Sequence, residues 1–498
     1  MHTLSLAFVL GSFAPDFTLQ RVAEYDGGVE KGAEIVSVQS STSRAVLLNA
    51  DSGTVDVLDL ADPAAPKRIA RHALELAPGE KTTSVAFHPR EDWFVVAVQG
   101  VGVWSAGRVD VRDAKSGAKI ASFACGVGPD SVVFDASGRF AALACEGEGY
   151  DFDPKTRTFR SPPGSVTWLD FADGPKAAKA RTLTLPGFDD VPGVCAKSDA
   201  RRIEREVDWN GNGKIDEHLD FDGDGSVTRN SETLGTYEGW EVRAEEEDGE
   251  VFSLPLFGAP ASAVEPECLA FSPDASRLYV TLQEVNACAV IDVATGELVA
   301  RFGVGVARHV ADTKKDGQVD FATELVALRE PDGIALTPDG RFFVTGDEGD
   351  TAPKVTKVVA PGRPCGGRTL AVFDASSGAL VGDTANQLDA AAAAAGLYPD
   401  DRSEHKGSEP EMVLAFAHAG RSFAVVGLER AGGLALVDLA EPAQPKVLGV
   451  AACGADAKAS KRCEPEGLAL HRRENGELYV LSANEGSGTL TVFALRGG

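Results

Sequence analysis

At 498 residues with 43% hydrophobic content the chain has material for a large core, and its 54 glycines and 26 prolines predict many turns and few long helices. The formal charge of −27, from 75 acidic against 48 basic residues, excludes nucleic acid and anionic lipid as natural partners and favours cations. No stretch is long and apolar enough for a membrane span, and the eight cysteines include no CxxC pair, which argues against zinc ribbons and thioredoxin-like redox motifs.

In chain order, residues 1–14 hold a short apolar run without a preceding Lys or Arg, followed by Pro15. This reads as a weak or truncated signal peptide, or as a first strand. From Ala33 onward one pattern recurs seven times: an apolar strand, a turn, a second apolar strand ending in acids or amides, and a third strand closing in Asp-x-x-x-Gly or Asp-Leu-x-x-Pro. The copies open near Ala33, Thr83, Pro129, Glu265, Glu330, Glu409 and Glu464, and the fourth, EPECLAFSPDASRLYVTLQEVNACAVIDVATG, is the cleanest. Strands of four to seven residues separated by Pro-Asp-Gly-type turns predict propeller blades. The fold class is therefore all-β, a seven-bladed β-propeller with YVTN/WD40-like blades, one domain over 1–498. The segment around Phe17 to Tyr25 is the candidate for the outer strand that latches the last blade.

Three insertions, 172–260, 303–329 and 381–408, interrupt the spacing and become loops on a face of the ring. The third contains Asp389 followed by six alanines and Gly396, which predicts a short surface helix with no evident chemistry. Cys453 and Cys463 bracket a polar loop and are the one expected disulfide.

The residues opening the first strand of each unit are Glu34, Ser84, Asp130, Glu267, Asp332, Glu411 and Glu466, all but Ser84 carboxylates. That strand is innermost in a propeller, so these acids surround the mouth of the central channel. The second strand returns to the same face and ends at Asp51, Gln99, Glu146, Glu284, Glu348, Glu429 and Glu485. Carboxylates so crowded require raised pKa values or neutralising cations, and a hard oxygen-binding cation, calcium before magnesium, is the natural cofactor. The bland alternative is a solvated acidic rim.

The first insertion carries two overlapping loops of EF-hand type. Asp208, Asn210, Asn212 and Asp216 open one, with Gly213 at the bend; Asp220, Asp222, Asp224 and Thr228 form the other, with Gly225. Alternate oxygens at this spacing face one ion. Position twelve departs from the pattern, being Leu219 or Ser231, although Asp220 and Glu232 follow one residue later. A fainter copy is Asp312, Asp316 and Asp320, with Gly317.

The segments GAEIVSVQ, EPECLAFSPD, EPDGIA, VVGLERAGGLALVDLAEP and EPEGLAL resemble the bacterial choice-of-anchor I proteins. Those are in turn similar to the mesenchyme-specific cell-surface glycoprotein of skeleton-forming echinoderm cells. The resemblance implies an extracellular, cell-surface or periplasmic propeller linked in animals to biomineral deposition. The anchor that names the family is not expected within the chain, and the paired loops at 208–232 are not a feature of it.

The function expected is a non-catalytic calcium-binding propeller whose acidic face engages divalent cations, a mineral surface or an extracellular protein. One alternative is a calcium-dependent hydrolase of the phytase, phosphoesterase or lactonase kind, with Arg308, His309 and Arg430 as the candidate anion-binding cations. The other is a protein-interaction scaffold. No Ser elbow, Walker loop, HExxH or dinucleotide motif appears.

Overall fold

The computed structural model describes residues 17–29, 31–147, 151–153, 158–188, 190–192, 233–237, 240–247, 250–253, 264–349 and 366–497. Seven four-stranded antiparallel sheets follow one another as blades, in agreement with the repeat. Second strands such as Trp93–Gln99 and Arg421–Leu428 are almost wholly apolar because both of their faces are covered by adjacent blades. Outermost strands such as Lys67–Ala73 and Lys179–Thr184 alternate or are polar, since they meet water. The apolar interior is accordingly divided among the clefts between blades. One cluster joins Trp168 and Leu185 of blade three to Leu278 and Ile291 of blade four, and another joins Val46 and Val57 of blade one to Phe94 and Val96 of blade two.

The Asp-x-x-x-Gly signature is a turn with a mechanism. Asp113 Oδ1 accepts from the backbone N–H of Ser116 at 2.7 Å, and Gly117 takes φ 73° to close the loop. Asp292 with Gly296 (φ 76°) and Asp374 with Gly378 (φ 69°) repeat the arrangement.

Ring closure uses the predicted segment. Phe17–Asp26 pairs antiparallel with Thr489–Gly497 as the outer strand of blade seven, with Phe17 opposite Gly497. Tyr25 Oη then donates to Asp56 Oδ2 of blade one at 2.8 Å, tying the seam.

Blade three takes Lys179–Thr184 as its outer strand, so the segment inserted after it begins later than residue 172. A separate sheet holds Asp151–Asp153, Thr158–Arg160, Thr233–Tyr237, Trp240–Glu247 and Glu250–Ser253, and Val306–Ala311 forms a hairpin with Thr323–Leu328. The alanine run does form a helix, Gln387–Ala394, but it is not a surface helix. Leu388 and Ala392 are fully buried against blades five and six, because small side chains let the helix lie close to the sheet. The wholly buried Arg368 ties this insertion to the preceding one, donating to the carbonyl oxygens of Ser403 and His405 at 2.8 and 2.6 Å and of Asp312 at 2.9 Å.

Cys453 and Cys463 are free thiols, contrary to the expected bridge. Cys453 Sγ lies 3.8 Å from Ser482 Oγ, while Cys463 Sγ donates to the carbonyl of Ala459 at 3.4 Å. The short helix Ala457–Ser460, capped by Asp456, fills the loop between them.

Candidate functional site: the acidic channel mouth

Every innermost strand except that of blade four begins with an irregular register. Ala33 faces Asn49 but Val36 faces Leu47; Pro129 faces Cys145 but Val132 faces Leu143; the same slip follows Pro331, Pro410 and Pro465. The extra residue places Glu34, Asp130, Asp332, Glu411 and Glu466 in β-bulges, which re-aim a side chain out of the ladder. In blade two the slip lies between Thr82 and Ser84, so the equivalent residue is Thr83 rather than Ser84. Thr83 Oγ1 donates to the carbonyl of Pro129 at 2.7 Å and adds no charge.

Immediately before three of these bulges a glutamate adopts a left-handed backbone: Glu330 (φ 44°), Glu409 (φ 54°) and Glu464 (φ 50°), each followed by proline. A non-glycine residue there is strained by about 1–3 kcal/mol, a conformation that structures tend to keep at functional positions. The triplet Glu-Pro-acid thus supplies two carboxylates per blade to one rim.

Two groups of carboxylates converge so closely that one oxygen from each lies within 4.8 Å of the others: Glu348, Glu409, Glu411 and Glu429 in blades five and six, and Asp130, Glu146 and Glu267 in blades three and four. Burial pushes Glu34 up to about 8, with Asp130, Glu485 and Asp51 adding repulsion. Burial and Glu348 bring Asp332 to about 7. Glu429 rises to about 8, chiefly by burial. Glu267, Glu411 and Glu466 are driven well above the usual range by burial and by their acidic neighbours.

The protein supplies cations of its own to the blade five and six side of this rim. Lys406, from the third insertion, donates to Glu348 and lies 4.0 Å from Glu409. Arg402 Nε donates to Glu409 Oε1 at 2.8 Å. Burial alone would raise Glu409, but Lys406 and Arg402 hold it below the usual value. Arg430 contacts Glu409, Glu429 and Glu464 at 3.0, 2.9 and 2.7 Å. Its guanidinium is therefore engaged by carboxylates on every nitrogen. Even so Glu411, 6% exposed, keeps an Oε2 with no hydrogen-bond partner.

Of the residues predicted from sequence, Glu34, Asp130, Glu267, Asp332, Glu411 and Glu466 are brought to one rim. Asp208, Asn210, Asn212, Asp216, Asp220, Asp222, Asp224, Thr228 and Glu232 lie outside the described residues. Asp312 is buried, whereas Asp316 and Asp320 are exposed, and none of the three belongs to a converging group. Asp316 Oδ1 accepts from the N–H of Gln318, closing a local turn. His309 lies in the hairpin, its ring nitrogens 3.0 Å from the carbonyls of Val310 and Gly367. Sequence reasoning missed Lys406 and Arg402, having assigned no chemistry to their insertion. It also left Glu409 out of the rim, although the repeated Glu-Pro-acid triplet was visible.

Fold and rim together define a propeller with a carboxylate-lined mouth. The chain belongs to the choice-of-anchor I family, whose domain profile matches residues 34–363 and 354–442. Membership points to a surface-associated or secreted propeller, and no helix among the described residues is long and apolar enough to cross a membrane. Similar solved structures include the β-propeller domain of Cps50 (Swd1) from Myceliophteria thermophila, at 8% identity and TM-score 0.47, covering 96% of this chain and 99% of that one. The hydrazine synthase of Kuenenia stuttgartiensis aligns at 12% identity and TM-score 0.49 over 94% and 97% of the two chains. A chain of a mitotic checkpoint complex aligns at 11% and 0.47 over 99% and 98%. No curated protein matches, and the comparisons give the likeness to the mesenchyme-specific glycoprotein no support.

Proposed function

We propose that this is a non-catalytic, calcium-binding propeller of the cell exterior, which uses its acidic mouth to hold divalent cations and, through them, a mineral surface or an extracellular partner. The observation that carries the reading is Glu411 Oε2, a buried carboxylate oxygen without a hydrogen-bond partner, set among Glu348, Glu409 and Glu429. Such an oxygen costs free energy unless a cation meets it. Calcium suits the site better than magnesium because carboxylates from separate blades offer many oxygens in irregular geometry, where magnesium demands a near-ideal octahedron. The EF-hand-type loops at 208–232 are proposed as further calcium sites.

A hydrolase is less well supported, since Arg430 is occupied by three carboxylates and is not available to a phosphoryl group.

The test is thermal unfolding in chelator, in millimolar calcium and in millimolar magnesium. Calcium should raise the midpoint well beyond magnesium. Glu411→Gln should raise the midpoint in chelator and shrink the calcium response, whereas Asp222→Asn with Asp224→Asn should leave the rim's share intact. A wild-type midpoint indifferent to calcium overturns the reading.

A further inference from the structure

One position beyond Glu34, Thr83, Asp130, Glu267, Asp332, Glu411 and Glu466 stand Ile35, Ser84, Ser131, Cys268, Gly333, Met412 and Gly467. The two sulfur-bearing members, Cys268 and Met412, belong to blades four and six, with blade five between them. Blade five carries Gly333 at the corresponding position, so no side chain separates the sulfurs. A Cβ there would meet the carbonyl of Glu411 at 2.6 Å and Met412 Cα at 2.8 Å. Across that gap Cys268 Sγ approaches Met412 Sδ to 3.9 Å and donates to Asp332 Oδ1 at 3.5 Å. The chain has only two methionines, the other being residue 1.

We propose that Cys268 and Met412 form a binding site for a soft monovalent metal ion, copper(I), with Asp332 of the rim accepting the thiol proton. Thiolate and thioether sulfurs select soft ions, while the carboxylate rim above them selects hard ones. The spacing fits: two metal–sulfur bonds of about 2.3 Å opened to about 120° separate their sulfurs by about 4 Å. Access is provided by a cavity of about 530 Å³ within the ring, bordered by Cys268, Met412, Leu269, Ile334 and Val413. On binding, the Cys268 S–H bond breaks and a sulfur–copper bond forms. The proton passes to solvent by way of the Asp332 carboxylate, and the metal arrives and stays as copper(I), with no electron transferred.

The experiment is an anaerobic titration of the full chain against the coloured copper(I)–bicinchoninate complex. The wild type should withdraw one equivalent that Met412→Leu, which preserves apolar bulk, and Cys268→Ser each bind at least tenfold more weakly. Cys453→Ser, at a thiol remote from the cavity, should bind like the wild type. Far-ultraviolet dichroism and thermal midpoints establish that the variants fold. Should Cys268→Ser not fold, X-ray absorption of the copper-loaded wild type decides, two sulfur scatterers supporting the site and one or none overturning it. Failure of the wild type to withdraw copper, or full affinity in Met412→Leu, also overturns the proposal. Neither result bears on the calcium response, which is read in a separate unfolding experiment.

Discussion

The ammonium of Lys406, carried in by the insertion that precedes blade six, donates to Oε1 of Glu348 at the end of blade five's second strand. Both side chains are largely buried, at 13% and 11% exposure. Lys406→Met leaves Glu348 without its cation, which should cost on the order of 3 kcal/mol. Chemical denaturation in chelator measures the loss. Because an added cation can take the vacated place, the variant's midpoint should respond more steeply to calcium than the wild type's.

The raised carboxyls make metal-free stability depend on pH in an unusual direction. Glu34 and Glu429 titrate near 8 in the folded protein against the usual 4.5. Between those values the folded chain binds more protons than the unfolded one, so stability falls as pH rises. Below the lower value both states are protonated and the difference vanishes. Thermal midpoints in chelator should therefore decline from pH 5 to pH 8, and Glu34→Gln should flatten the decline. A midpoint that rises over this interval contradicts the assignment.

Arg368 is fully buried and ties three carbonyls of two insertions to blade five, with Asp389 at 3.5 Å. Arg368→Gln should cost roughly 3–5 kcal/mol, since it strands a buried aspartate. The loss should be local before it is global. Limited proteolysis should cut within 381–408 of the variant under conditions that leave the wild type whole.

Gly467 packs against blade one, where a Cβ would meet the carbonyl of Glu34 at 2.6 Å and Ile35 Cα at 2.8 Å. Gly467→Ala must push blade seven from blade one and should destabilise by about 1–3 kcal/mol. Denaturant midpoints measure the loss, which reports crowding alone, since Gly467 has no left-handed φ that an alanine would strain.

Blade number, the latch strand and the acidic rim were legible because a propeller repeats its local chemistry: each strand's period and each Asp-x-x-x-Gly turn is written out within its own blade. The error at Ser84 arose where blade two lacks both the acid and the proline that mark the bulge elsewhere, so nothing local distinguished it from Thr83. Lys406, Arg402 and Arg368 were illegible for a different reason. Their partners depend on how an insertion folds back over the ring, which no short-range pattern encodes. The Cys453–Cys463 bridge was inferred from spacing, but Asp456 caps a helical turn inside that loop and each thiol takes another neighbour.

The pairing of Phe17 with Gly497 also governs how the molecule comes into being. During vectorial synthesis Phe17–Asp26 emerges long before Thr489–Gly497, so blade seven cannot be completed until that later strand has been made. Earlier blades accumulate as an open arc with unpaired edges, the state most exposed to aggregation and to strand exchange with another nascent copy.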